Sequence, residues 1–308
     1  MTRPKRSLAS VLDRLYREFD HVASADDPVH IVRRFADPAD REVVGFCAAS
    51  LAFGRVAGIL QSIERLLTVM GPAPAAFVRG FDPGRYGSAL DPIVHRWTRG
   101  RDLVALLWTL RAMLEGSGTL ERFFLEGHDP GAQDVGGSLE SFSTRARAVD
   151  LRPAYGRVPR RPGVRSFFPL PSGGSACKRL NLFLRWMVRR DAIDPGVWTG
   201  VSRSQLIVPL DTHVIRVGRC LGLTRRASPG WKMAAEITAS LRGIDPLDPV
   251  RFDFSLCHVG MQRACGFNGS CSDEACPLRG FCRPSPARAR AGRAARRPPA
   301  CRQPSGRR

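Results

Sequence analysis

Apolar residues recur along most of this chain with the spacing of an α-helix. Leu8, Val11, Leu12, Leu15, Tyr16 and Phe19 fall on one stripe, the pattern of a surface helix laid on a core. Asp37 and Pro38 supply an N-cap and a first-turn proline. From Asp40 to Met70 the chain is apolar on most faces, and Gly71-Pro72 ends the run, which predicts a buried helix pair. Leu103, Leu106, Leu107, Leu110, Met113 and Leu114 predict an amphipathic helix over 101–115. Between Gly116 and Gly174 glycine, proline and arginine accumulate and the period is lost over most of the stretch. A connecting or functional loop is expected there. Helical spacing returns over 178–189, 212–221 and 230–242, and over 249–262 after Asp248-Pro249. Neither alternating strands nor a repeated unit is visible.

The expectation is an all-α chain with five regions. They are a helical region over 1–126, a Gly/Pro/Arg-rich connecting loop over 127–174, a second helical region over 175–262, a Cys-rich loop over 263–282 and a low-complexity basic tail over 283–308. The tail has the composition of a disordered segment.

Charge changes the picture. Lys+Arg total 48 against 28 Asp+Glu, a net charge of +20. Residues 283–308 carry nine arginines and no acid, so +11 belongs to the rest of the chain. That balance favours a polyanion over an acidic small molecule, because phosphate contacts release counterions and steer association. An arginine-rich composition with a loose basic tail is the plainer reading of the same numbers. No run of eighteen apolar residues is present, and the start lacks the apolar segment of a secretory signal. Nine cysteines in such a chain read as thiols or metal ligands, and a cytoplasmic, nucleoid-associated protein is expected.

Candidate chemistry concentrates between Pro169 and Leu223. The segment PLPSGGSACKRLNLFLRWMV is a glycine-containing turn opening onto a helix. Gly173, Gly174 and Ser175 permit close backbone approach, and the N–H groups of such a turn suit a phosphate oxygen. A plain loop-to-helix junction explains the same residues. Lys178 stands in the first turn, where the helix dipole disfavours a cation and so favours a nucleophilic amine; a simple phosphate contact is the alternative. Asp211 lies 33 positions later, before the next helix, where an aspartate commonly does no more than cap. His213 reads as a packing or hydrogen-bonding residue at that helix start. Arg216 and Arg219 face either DNA or solvent. Trp186 and Trp198 read as core, and Phe167 and Phe168 are candidates to wedge or stack on a base.

The string LDTHVIRVGRCLGL resembles the aspartate-bearing motif of the helix-hairpin-helix/Gly-Pro-Asp superfamily of DNA glycosylases, to which endonuclease III belongs. The matching residues are Asp211, Thr212, His213, Arg216, Val217 and Arg219. The stretch from Ala9 to Cys282 also resembles an uncharacterised bacterial family within that superfamily, through DREVVGFCAASLAFGRV, HRWTRGRDLVALLWTL, SACKRLNLFLRWMVR and VPLDTHVIRVGRCLGL. The resemblance implies a two-lobed helical glycosylase fold with a helix-hairpin-helix element. It also implies that Lys178 attacks C1′ of a damaged nucleoside, forms a Schiff base and permits β-elimination. Asp211 would activate the lysine or stabilise the cationic sugar, with the target base flipped from the stack of double-stranded DNA. Gly173, Gly174, Ser175, Arg179 and Arg216 would contact that DNA. Two departures stand out: the hairpin from Leu170 to Lys178 is two residues longer than the usual L-P-G-V-G-x-K, and the step from lysine to aspartate is longer than in endonuclease III.

Cys265, Cys271, Cys276 and Cys282 have C-x5-C-x4-C-x5-C spacing, with Cys257 eight residues upstream. Four thiols this close suit one metal centre. Many endonuclease III relatives carry a four-iron cluster here, and Cys276 and Cys282 match its last interval. A [4Fe–4S] cluster is therefore the leading expectation, zinc the alternative and free thiols the third. Two function classes follow: a monomeric bifunctional DNA glycosylase/AP lyase on an oxidised or damaged base, and a catalytically silent DNA-binding protein of the same fold. Repair of RNA or nucleotides is a third possibility.

Overall fold

The computed structural model describes residues 7–21, 27–261 and 276–282. Among them the chain is all-α, with 14 α-helices and no strand beyond two isolated bridges. In order they are α1 (Leu8–Phe19), α2 (Val29–Arg33), α3 (Pro38–Leu51), α4 (Val56–Met70), α5 (Pro74–Arg79), α6 (Pro83–Leu90) and α7 (Gly100–Ser117). There follow α8 (Leu120–Leu125), α9 (Gly136–Arg147), α10 (Arg152–Tyr155), α11 (Lys178–Val188), α12 (Thr212–Leu221), α13 (Trp231–Arg242) and α14 (Asp253–Met261). A 3-10 turn at Gly163–Phe167 lies between α10 and α11.

The long periodic segments become helices where expected, and their ends carry the chemistry that sets them. Asp37 caps α3 through Ala39 N–H at 2.9 Å, and Gly71 ends α4 at φ +73. Short helices α2, α5, α6, α8 and α10 escape the periodicity because they span too few turns to show a stripe. Caps and prolines make them instead. Asp82 accepts from Arg85 N–H at 2.8 Å ahead of Pro83, and Thr119 accepts from Arg122 N–H at 3.1 Å. Pro249 does not begin a helix; α14 starts at Asp253, and Asp248 instead meets Arg189 at 2.9 Å.

Residues 127–174 are not an open connection. Helix α9 turns Leu139, Phe142 and Ala146 inward under a polar outer face. The 3-10 turn adds Val164 and Phe167, followed by the buried Phe168. Phe168 stacks on Phe46 of α3 at 5.4 Å, Phe46 meets Phe183 of α11 at 5.1 Å, and Phe183 meets Trp198 edge-on at 5.3 Å. One aromatic core thus joins α3, α9, the 3-10 turn and α11. Phe167 and Phe168 are core residues and cannot wedge between bases, which corrects the expectation for both; Trp186 and Trp198 are buried as expected.

Two buried polar devices lock this core. Glu42 of α3 accepts from the N–H groups of Leu120 and Glu121 at 3.0 Å each and from the Trp198 indole at 2.6 Å. It therefore holds both the N-terminus of α8 and the chain beyond α11. Glu42→Ala leaves three donors without their acceptor, each unsatisfied buried group costing ~1–3 kcal/mol. A loss of about 3 kcal/mol is expected in urea unfolding, and an unchanged midpoint would contradict this role. The second device is an arginine–aspartate network. Arg185 meets Asp253 at 2.6 Å and Asp194 at 3.0 Å. Arg189 meets Asp191 at 2.8 Å, Asp248 at 2.9 Å and also Asp194. Tyr16 donates to Asp191 at 3.2 Å, which brings α1 into the same cluster.

Candidate functional site

Helix α11 begins after an unusual start. Cys177 adopts the left-handed conformation at φ +47, which strains a residue bearing a Cβ. Burial pushes the Cys177 thiol up to about 11, so it stays protonated, near the Pro169 and Ser175 carbonyls at 3.6 Å. The turn before it is exposed at Gly173 and Gly174. Their N–H groups are already used: Gly173 donates to Leu170 O at 3.2 Å and Gly174 to Pro171 O at 2.9 Å. Ser175 Oγ accepts from Cys177 N–H at 3.2 Å. These three residues shape the turn and do not present a ring of free N–H groups. The same turn docks on α13, where Trp231 N–H donates to Gly174 O at 3.3 Å. An open groove lies along that junction, lined by Pro171, Ser172, Arg226, Trp231 and Lys232.

Lys178 is half-buried in the first turn of α11. Its Nζ donates to Ala52 O, just past the end of α3, at 3.1 Å. Among the described residues it forms no ion pair with any carboxylate, Asp211 included. Arg179 turns inward. It donates to the Ser50 and Ser166 carbonyls and lies 5.1 Å from the Phe53 ring and 5.6 Å from that of Phe167. Burial lowers its pKa to about 10. Both terminal nitrogens of its guanidinium are thus engaged by backbone carbonyls.

Asp211 does cap α12. One oxygen accepts from Val214 N–H at 2.7 Å, and the other accepts from the Cys257 thiol on α14 at 3.1 Å. Burial first, and then the Asp211 charge, push the Cys257 thiol far above its ordinary range. It is therefore a proton donor to the carboxylate. The sequence pattern groups Cys257 with the downstream cysteines, whereas the fold gives it to Asp211. Beside this pair, burial raises Asp253 to about 6 against the opposing pull of Arg185. His213 packs against Gly260, whose backbone leaves no room for a Cβ (2.6 Å from His213 Cβ). Arg216 donates to Gly260 O and Arg219 to Ala227 O, so both serve the local packing.

Of the four cluster cysteines, Cys265 and Cys271 lie outside the described residues. Cys276 is buried and Cys282 half-buried at the two ends of a short turn, which Leu278 anchors in the core. Cys282 Sγ lies 3.5 Å from Leu278 O.

With this geometry in place the chain was compared with known proteins. A model of the family described as "Protein of unknown function (DUF2400)" matches residues 27–262. The chain belongs to this family. The matched span runs from α2 to the end of α14 and includes both Lys178 and Asp211. The assignment to the helix-hairpin-helix/Gly-Pro-Asp superfamily is thereby corrected, since no glycosylase family of that kind matches. Comparison with curated proteins and with solved structures returned no match.

Sequence reasoning overlooked one group of residues altogether. Trp97 is 60% exposed and stacks on Phe53, with ring centroids 4.5 Å apart. Phe53 directly follows Ala52, whose carbonyl holds the Lys178 amine. The only signal in the chain is a tryptophan in the polar string HRWTRGR, off any apolar stripe.

Proposed function

We propose that this chain is a DNA-binding N-glycosylase with AP-lyase activity, acting through the Lys178 amine on a damaged nucleotide in double-stranded DNA. One observation carries the reading. Of 48 cationic residues only three are lysines, Lys5, Lys178 and Lys232. Where charge alone is needed this sequence uses arginine, whose guanidinium stays protonated and is no amine nucleophile. An amine half-buried at the start of α11 and held, among the described residues, by a carbonyl suits chemistry better than charge.

In the proposed reaction the Nζ lone pair adds to C1′ of the deoxyribose. The glycosidic C–N bond breaks, and the base leaves with its electron pair and takes up, through water, the proton that Nζ loses. Opening of the sugar leaves an imine on Lys178. Loss of a C2′ proton then expels the 3′ phosphate. Asp211 would stabilise positive charge at the sugar as the base departs. The two-lobed arrangement around a helix-opening hairpin, and a monomeric state, belong to the same proposal. The same proposal extends to Cys276 and Cys282, at the two ends of their short turn. With Cys265 and Cys271 they would hold a [4Fe–4S] cluster or zinc as a structural clip, which iron and zinc analysis with a visible spectrum distinguishes.

Borohydride reduction tests the reaction. Duplexes bearing an abasic site or an oxidised base are mixed with the protein and the reductant, and a covalent protein–DNA band is expected. A second reading, a DNA-binding protein without chemistry, is favoured by the separate partners of Lys178 and Asp211; absence of the band on every lesion, with binding intact and no base released, would establish it, whereas base release without a band would mean a single-function glycosylase. Charge makes a further expectation. Removing residues 283–308 deletes nine arginines and should weaken non-specific duplex affinity and flatten its salt slope. An unchanged slope would mean that the tail touches no phosphate.

A further inference from the structure

The residues His95 to Thr98 form a two-residue hairpin with Arg96 and Trp97 at its tip. His95 N–H donates to Thr98 O at 3.0 Å and Thr98 N–H to His95 O at 2.9 Å. The base is fixed: Thr98 is buried, and the buried His95 ring lies 2.9 Å from both Ser62 Oγ and Phe53 O. The tip is strained, since Arg96 sits at φ +55, where a side chain is disfavoured. Phe53 covers one face of the indole at 4.5 Å and 19°, while 60% of Trp97 is exposed. The Arg96 guanidinium is 5.6 Å from the indole centroid, and Arg55 is exposed just beyond Gly54.

This arrangement does not serve packing. Most of the largest apolar side chain type lies in water, at the tip of a strained turn clamped at its base. A rigid aromatic ring with the Arg96 guanidinium 5.6 Å from its centroid has the chemistry of a base-stacking platform, because every nucleobase offers a π face and every linkage a phosphate. We propose that Trp97, backed by Phe53, stacks an unpaired nucleobase while Arg96 and Arg55 hold the adjoining phosphates. This rests on the DNA-binding reading above and deepens it. The platform adjoins the Lys178 amine through the Ala52–Phe53 peptide, so a base stacked there marks an opened duplex beside the amine.

The test measures affinity by fluorescence anisotropy for three labelled probes: a fully paired duplex, the same duplex with one unpaired base, and a single strand. Wild type should prefer the last two. Trp97→Ala and Trp97→Leu should each bind these about tenfold more weakly, with the paired duplex unchanged, and Trp97→Tyr should keep most of the preference. The leucine variant retains apolar bulk without a π face, so it separates stacking from folding. Equal affinities of Trp97→Leu and wild type for the unpaired probes, with DNA binding intact, would overturn the platform and leave the DNA-binding reading standing. Failure of wild type to bind any probe would overturn both. Binding to phosphatidylglycerol vesicles that Trp97→Leu abolishes, with oligonucleotide affinity unaltered, would reassign this face to a membrane surface and overturn the inference.

Discussion

Lys178→Ala is expected to eliminate the covalent complex trapped by borohydride while leaving DNA affinity nearly intact. Alanine is the best helix former and suits the first turn of α11. The fold loses one hydrogen bond to the Ala52 carbonyl, worth about 1 kcal/mol, which does not unfold a domain. Loss of the band is then a loss of chemistry. Lys178→Arg sharpens the test, because it keeps charge and donors yet cannot form the imine. Persistent trapping in the arginine variant would move the amine to Lys5, Lys232 or the N-terminus. Asp211→Asn makes the complementary cut. Asparagine keeps an oxygen for Val214 N–H and so preserves the cap, but removes the negative charge. Base release should fall by roughly a hundredfold or more, whereas trapping on a preformed abasic site should fall less. Wild-type release by Asp211→Asn would confine that residue to capping.

Arg185→Ala should be the most damaging single change to stability. The guanidinium is buried and holds Asp253 at 2.6 Å and Asp194 at 3.0 Å, so its removal strands the buried Asp253 carboxylate and leaves Asp194 to Arg189 alone. Breaking one such pair costs ~3–5 kcal/mol, against a total stability of about 5–15 kcal/mol. The network also ties α11 to α14 and, through Asp194, Arg189 and Asp191, to Tyr16 of α1. Equilibrium denaturation by circular dichroism should show a much lower midpoint or no folded baseline. Arg185→Ala combined with Asp253→Asn should recover part of the loss, because the unpaired charge is then gone. A midpoint within experimental error of wild type for the single variant would show that the cluster contributes nothing to folding.

The reach of the sequence can be judged from particular residues. Helices α1, α3, α4, α7, α11, α12 and α13 were legible because each is long enough to repeat an apolar stripe, and because Asp37, Gly71 and Asp211 mark their ends by local chemistry. Helix α9 was not read, although Leu139, Phe142 and Ala146 have helical spacing. Its inward face carries the buried polar Ser138 and Ser143 between the apolar residues, and with the surrounding glycines and arginines they hid a single narrow stripe. Phe167 and Phe168 show the same limit from the other side. An aromatic pair in an irregular segment has no period, and only the packing of α3 and α9 around it decides that it is buried.

What the chain determined by itself was the all-α class, the caps, the excess of positive charge and the choice of lysine at 178, since these depend on neighbours within a few turns or on composition. The tertiary structure alone decided that Arg179, Arg216 and Arg219 each donate to a backbone carbonyl, that Cys257 faces Asp211, and that Trp97 is exposed while stacked on Phe53. Those pairings join residues from separate helices and loops. A polar side chain's partner is whatever the folded backbone brings within hydrogen-bond distance, and no local pattern encodes it.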